Sequence, residues 1–394
     1  MDKIQMKNMK KVILACFCAL CVNVPAETKF QDLSSPYVGK WELPADLEPN
    51  ATLNYYLGTK GVKPATGWPL YIYLHGSGPR EHEWSTGLKL AQIFDDAPAL
   101  YWIPQIPQEG NWYRWYQRSK QWAYEKLLKE LLATGEVDPN RIYVFGISEG
   151  GYGSQRLASF YGDYWAAAGP MAGGEPLKNA PVENCGNIGF SLLTGAMDKG
   201  FYRDELTYWT QQAFDRKALE NPGLYAHRVN LIPNHGHHID YRLTTPWLAH
   251  FTRNPQPTKW EWEDFEMDGR HREGFYYLQV LKRPSEKRQM YRVNVENNVV
   301  NVTVEDVDYT CTQTDSIWGI EMQFTRQFTP ATNGKLRVFL SDKLVNLKKK
   351  VTLKINGKEV FCGKVKREEK WENVSRELYF DPERVFEYAV EGEY

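Results

Sequence analysis

The chain has 394 residues, room for two domains of about 100–200 residues each. Its 48 Lys+Arg against 49 Asp+Glu leave a net charge of −1, so neither a basic nucleic-acid surface nor an acidic solvating tail organises it. The 14 Trp, 24 Tyr and 17 Phe are an unusual load, and clustered near a site they imply a surface for stacking on ring-shaped ligands.

At the N-terminus Lys3, Lys7, Lys10 and Lys11 precede the apolar run Val12–Val22, and Val24-Pro25-Ala26 offers a small-residue cleavage site. Residues 1–26 are read as a signal peptide that sends the chain to the periplasm or the exterior. The run is too short to span a bilayer, and nothing later is long enough, so no transmembrane segment is expected. The alternative is an acylation box at Ile13-Leu14-Ala15-Cys16, giving an outer-membrane lipoprotein, with few apolar residues before the cysteine. Cys185, Cys311 and Cys362 remain after the leader. Cys311 and Cys362 both lie in the β-rich C-terminal part, and whether they pair is left open by their spacing.

Residues 27–255 alternate strand and helix. Leu70–Leu74 is an apolar strand ending in His75-Gly76-Ser77-Gly78, Ala99–Ile103 is a second, closed by Pro104, and Gln117–Leu132 carries apolar residues at helical spacing until Gly135 and Pro139. Further strands are predicted at Arg141–Phe145, Trp165–Gly169, Ile188–Leu193 and Arg228–Ile232. This order implies an α/β domain, a mostly parallel sheet with helices on both faces. From Asn254-Pro-Gln-Pro-Thr258 the pattern changes to short alternating strands, among them Met290–Val295, Val299–Val304, Lys335–Leu340 and Val351–Ile355, with Asn356-Gly357 as a hairpin turn. Residues 256–394 are read as a small all-β, sandwich-like module, expected to buttress the first domain rather than to hold polymer.

Gly146-Ile147-Ser148-Glu149-Gly150 sits between a predicted strand and a predicted helix, the setting of a nucleophile elbow. The turn strains the serine backbone, which demands small neighbours, and it aims the helix N-terminal amides at charge developing beside the hydroxyl. An acid is then expected at the end of a later strand and a histidine after the last one. Asp198, after Leu193, and His237, in Pro233-Asn-His-Gly-His-His-Ile-Asp240, occupy those places. His235 and His238 are rivals for the base; His237 is favoured by the preceding Gly236. Glu175 is a rival acid, closer to substrate-contact territory. For the oxyanion, the Glu149 amide is one expected donor, and the Gly76-Ser77 loop supplies the second. Three neighbouring histidines with no accompanying carboxylates do not make a metal site, and no cofactor is expected.

Ser148, Asp198 and His237 in this order, with His75-Gly76 upstream, resemble the α/β-hydrolase superfamily. The leader and β module make the chain similar to secreted carbohydrate esterases of polysaccharide-degrading Gram-negative bacteria, of pectin methylesterase, acetyl esterase or feruloyl esterase type. That resemblance covers the α/β domain and implies a serine ester hydrolase. Ile147–Tyr152 also resembles peptidases of the prolyl oligopeptidase type, and a carbohydrate-binding protein on a non-catalytic hydrolase scaffold is the reading from another class.

The substrate reading rests on Trp102, Trp112, Tyr113, Trp115, Tyr116 and Trp122 with Arg114 interleaved, crowded between a strand end and a helix, where rings stack on sugars and arginine forks match carboxylates. Arg118, Glu175 and the Phe201-Tyr202-Arg203 run are expected to add contacts. Together they suit a polysaccharide or oligosaccharide bearing uronates, with methyl-esterified galacturonate first and acetyl or feruloyl esters behind it. Nothing bears on oligomeric state.

Overall fold

The computed structural model describes residues 31–32 and 38–394, so the segment read as a leader lies outside the described residues. The first sheet holds nine strands: β1 (Gln31–Asp32), β2 (Val38–Glu42), β3 (Thr52–Lys60), β4 (Trp68–Leu74), β5 (Ala99–Pro104), β6 (Val137–Ile147), β7 (Ala167–Met171), β8 (Gly189–Gly195) and β9 (His227–Ile232). Every residue of β4, β5, β7 and β8 is buried, as expected of interior parallel strands covered on both faces. The covering helices are α1 (Arg80–Ile93), α2 (Arg118–Ala133), α3 (Glu149–Phe160), α4 (Arg203–Glu220) and the short α5 (Thr244–Leu248).

The strands lie in the order β1-β3-β5-β4-β6-β7-β8-β9, with β2 paired to β3. From β5 to β9 all neighbours are parallel, and β3 runs antiparallel to β5. This is the strand order of the α/β-hydrolase fold. The chain lays β5 on one side of β4 and then crosses to lay β6 on the other. The carboxyl ends of β4 and β6 therefore flank a topological switch point, where open α/β sheets form their crevice.

Two smaller sheets follow. One holds β10 (Lys259–Asp264), β13 (Arg288–Glu296), β14 (Val299–Thr314), β15 (Glu321–Pro330), β17 (Val351–Ile355) and β18 (Lys358–Gly363); the other holds β11 (Gly274–Phe275), β12 (Leu278–Lys282), β16 (Lys335–Leu340) and β19 (Tyr388–Glu393). Their facing residues, such as Trp260, Trp262, Tyr291 and Val302 against Leu278, Val338 and Val390, form one core, closed by Trp371 and Tyr379 of α6 (Lys370–Tyr379). Asn356 and Gly357 both have positive φ (49° and 79°), the turn that a two-residue hairpin needs.

The two parts meet through buried charge. Asp163 accepts from Arg272 at 2.8 and 3.1 Å and pairs with Arg384; Asp381 accepts from Arg384 at 2.8 Å and from Arg253 at 2.7 Å. The Arg384 guanidinium lies between the rings of Tyr164 and Tyr379, 4.1 and 4.5 Å from their centroids. Elsewhere Arg326 bridges Glu183 (2.8 Å) to Glu263 (3.0 Å). Cys185, Cys311 and Cys362 are free thiols. Among the described residues no helix is long and apolar enough to cross a membrane.

Candidate active site

Ser148 terminates β6 at the switch point with φ 57° and ψ −113°, a strained backbone for a residue with a side chain. The strain is tolerated because its neighbours are small. A methyl group at Gly150 would overlap the Leu74 carbonyl oxygen, and one at Gly146 would overlap the Gly150 carbonyl. The Ser148 amide is anchored on the Met171 carbonyl (2.9 Å), and the Ser148 carbonyl accepts the Tyr152 amide (3.0 Å) to start α3. The hydroxyl thus stands above the sheet beside the N-terminus of a helix, where backbone amides and the helix dipole favour negative charge.

His237, in the loop after β9, brings Nε2 to 3.0 Å from Ser148 Oγ, and its Nδ1 lies 2.7 Å from Asp198 Oδ2. Asp198 follows β8 and is nearly inaccessible. Burial by itself would raise its carboxyl, but hydrogen bonds from Arg203 and His237 outweigh that and hold it below the ordinary carboxylate range. The Arg203 contacts are bidentate, Nε to Oδ2 at 2.8 Å and Nη2 to Oδ1 at 2.6 Å. The other histidines point elsewhere. His235 Nδ1 pairs with the Pro233 carbonyl (2.8 Å), and the His238 ring lies 6.0 Å from that of His237.

The loop after β4 runs alongside Ser148: a methyl at Gly76 would sit 3.5 Å from Ser148 Cβ. Its conformation is set by His75, whose Nδ1 donates to the Gly76 carbonyl (2.8 Å) while Nε2 accepts the Ile106 amide (3.1 Å). Tyr113 Oη donates to the same Gly76 carbonyl at 2.8 Å. With that carbonyl held inward, the planar trans peptide turns the Ser77 amide the opposite way. Burial lowers the His75 imidazole to about 4, so it is neutral here.

A pocket of about 490 Å³ opens beside Glu149 and Tyr152. Arg114 and Glu175 line it, as expected. Glu175 is already held by Arg156, with contacts of 2.7 and 3.0 Å. Burial pushes the Glu149 carboxyl up to about 7 against the pull of Arg114, 3.5 Å away. Its Oε1 has no hydrogen-bond partner among the described residues.

Several expected substrate contacts are corrected by the structure. Trp102 is fully buried in β5 among Trp41, Tyr55 and Tyr124, because a strand covered on both faces exposes nothing. Trp115 is also fully buried, donating its indole N–H to the His75 carbonyl (2.9 Å). Trp112 packs under Lys120 (5.7 Å) and is not among the residues lining the pocket, nor is Arg118, whose backbone amide donates to the Asp268 carboxylate (2.7 Å). Tyr202 is not among the residues lining the pocket, and Arg203 is spent on Asp198. Tyr116, from the same aromatic run, does line the pocket; lining residues missed in the sequence include Tyr152, Arg156 and Asn179, together with Gly319, Ile320, Glu321 and Phe324 of the β module. Three of the α3 residues carried a readable signal: Glu149, Tyr152 and Arg156 follow helical spacing and share the face that starts at the serine.

No protein-family model matches the chain, and no curated protein matches it in sequence. Solved structures similar to it include a thermostable esterase, at 21% identity over 56% of this chain and 64% of that one, with a TM-score of 0.42. A CE1 ferulic acid esterase from Anaeromyces mucronatus matches at 13% identity over 55% and 86% of the two chains, with a TM-score of 0.37. A putative dipeptidyl aminopeptidase IV from Bacteroides ovatus matches at 14% over 55% and 34%, with a TM-score of 0.39.

Proposed function

We propose that the protein is a serine hydrolase that cleaves an ester on a cell-wall polysaccharide. The observation that carries this reading is the hydrogen-bonded line from Ser148 Oγ through His237 to Asp198, at 3.0 and 2.7 Å, on a strained strand-to-helix turn. In the reaction Ser148 Oγ bonds to the ester carbonyl carbon as His237 Nε2 takes the hydroxyl proton. The carbonyl electron pair moves onto oxygen, where the amides of Glu149 and Ser77 are the expected donors, each worth about 10²–10³ in rate. Collapse expels the alcohol, which leaves with the proton from His237. Water, activated by the same imidazole, then releases the acid and restores Ser148. Asp198 stays ionised throughout and stabilises the imidazolium without taking its proton.

The pocket supports a substrate bearing a carboxyl group. Arg156 is committed to Glu175, which leaves Arg114 as the cation facing incoming ligand. A carboxyl at Glu149 pushed up to about 7 makes a weak competitor for Arg114 near neutrality. Methyl-esterified galacturonate therefore comes first, with acetyl and feruloyl esters behind it. A peptidase needs a free anion for the substrate amino terminus; Glu175 is already bound by Arg156 and Asn179, and burial pushes the Glu149 carboxyl up to about 7, so neither is a full free anion near neutrality. Delivery of the enzyme to such polymers rests on the leader expected at residues 1–26.

Ser148→Ala should lower kcat by about 10⁶-fold and abolish labelling by a fluorophosphonate probe. Methanol, acetate and ferulate released from methylated pectin, acetylated xylan and a feruloylated oligosaccharide identify the ester. Near-normal hydrolysis by Ser148→Ala ends the serine reading, whereas acetate or ferulate alone removes the uronate assignment and leaves the serine chemistry standing.

A further inference from the structure

The β14–β15 hairpin is longer than a module core requires. β14 has 16 residues, but beyond Val307 its side chains are half-buried or exposed, and the pairing still runs on to Thr314 and Glu321. Beyond Val307 and its partner Phe328 the two strands fully bury one side chain, Met322, so the arm gains little by burial. What the arm does is carry its tip to the α/β domain. Gly319, Ile320, Glu321 and Phe324 complete the wall of the pocket beside Glu149 and Tyr152. Glu321 is tied across to Lys178 at 2.8 Å, and the same ammonium lies 5.4 Å from the Phe324 ring centroid.

The tip is fixed before any ligand arrives. The Asp315 carboxylate accepts the amides of Ile317 and Trp318 at 2.8 Å each and that of Ile320 at 2.5 Å. On this cradle Trp318 is 58% exposed, and its ring centroid lies 4.6 Å from that of Phe201, itself 44% exposed. Phe201 and Tyr202 both hold left-handed backbone (φ 51° and 57°), an unfavourable conformation for side-chain-bearing residues that persists only where the surroundings enforce it. Two large rings are thus held in water at the mouth of a pocket, one from each part of the chain.

We propose that Trp318 and Phe201 form a stacking shelf for a sugar ring of the polymer, adjacent to the ring that carries the scissile ester. The shelf rests on the reading of Ser148 as the nucleophile of a carbohydrate esterase. A pyranose presents an apolar C–H face flanked by hydroxyls. The shelf offers aromatic faces, and the adjoining pocket offers the polar atoms of Arg114, Glu149 and Asn179. A protein partner fits poorly, since stable interfaces bury about 800 Å² per side and here the apolar surface is two rings and Ile317. The β module is on this view a part of the binding site, supplied in cis.

The test compares kcat/KM on a polymer with kcat/KM on 4-nitrophenyl acetate, which is too small to reach the shelf. Methylated pectin, acetylated xylan and feruloylated arabinoxylan are screened, and the one hydrolysed fastest serves as the polymer. The ratio of the two constants cancels the fraction of folded enzyme. In Trp318→Ala it should fall about tenfold, through KM, and Trp318→Phe should recover most of the loss. An unchanged ratio in Trp318→Ala, with the wild type active, overturns the shelf alone. Failure of the wild type to hydrolyse any of these esters through Ser148 overturns the catalytic reading and the shelf with it.

Discussion

On the proposed function, Arg203 decides how Asp198 works. Asp198 accepts three side-chain hydrogen bonds, two from Arg203 and one from His237. Two effects oppose each other. The guanidinium charge drains some of the field that Asp198 exerts on an imidazolium, but its fork fixes the carboxylate plane and so the imidazole. Geometry should win, because a misplacement of about 1 Å can cost roughly 10²-fold in rate. Arg203→Gln is therefore expected to lower kcat about 10–10²-fold with little change in KM, in steady-state kinetics on 4-nitrophenyl acetate. A rise in kcat would show that the lost field mattered more. Arg203 was legible in the sequence only as a spare cation near Asp198, since a carboxylate's partner depends on which way a loop turns. Ser148 was legible because Gly146 and Gly150 record a backbone strain that side chains cannot hide. Trp102 and Trp115 were misread for the opposite reason: a tryptophan names neither the face it occupies nor the solvent it meets.

At the scale of elements, the end of β4 acts as a pin for three connections. His75 Nδ1 holds the Gly76 carbonyl, Nε2 holds the Ile106 amide after β5, and the His75 carbonyl receives the Trp115 indole ahead of α2. Only the neutral ring with its proton on Nδ1 satisfies both nitrogen contacts. Burial lowers this imidazole from 6.5 to about 4. Between those values the unfolded chain binds the proton and the folded chain does not, so stability falls as pH drops from about 6.5 to about 4. A shift of that size corresponds to about 3 kcal/mol. His75→Gln keeps a donor and an acceptor without the titration. Its stability deficit relative to wild type, measured by urea unfolding, should therefore shrink by about 3 kcal/mol between pH 7 and pH 4. A constant deficit would mean that His75 is protonated in the fold. The strands of the α/β domain were readable as buried apolar runs, and the switch point followed from their order. The outer half of β14 was not: beyond Val307 no side chain of the strand is fully buried, so Asp308–Thr314 carries no apolar alternation.

For the molecule as a whole, the change of pattern near residue 256 marks a change of architecture. Residues 31–394 nevertheless cluster as one compact unit, and the Asp163–Arg272–Arg384–Asp381–Arg253 network lies where the two architectures meet. The sequence scattered these five residues over more than 200 positions, and nothing local singles them out from solvated charges. Buried pairs of this kind are poor sources of net stability, yet removing one partner strands the other and costs about 3–5 kcal/mol. Burial alone would raise the Asp381 carboxyl, but Arg253 and Arg384 outweigh it and hold it at about 2. An unfolded aspartate titrates near about 3.9. The contribution of Asp381 is thus complete above that value and is lost only as pH falls through about 2. Asp381→Asn should destabilise the protein by about 3–5 kcal/mol, equally at pH 7 and pH 5, with the difference narrowing below about pH 4. Urea midpoints across that range separate this behaviour from the His75 effect, which is spent between about pH 6.5 and 4. If the Asp381→Asn deficit instead grew as pH fell from 7 to 5, the carboxylate would be taking up a proton in the fold, and the network would not be the ionised cluster that joins the sandwich to the α/β layer.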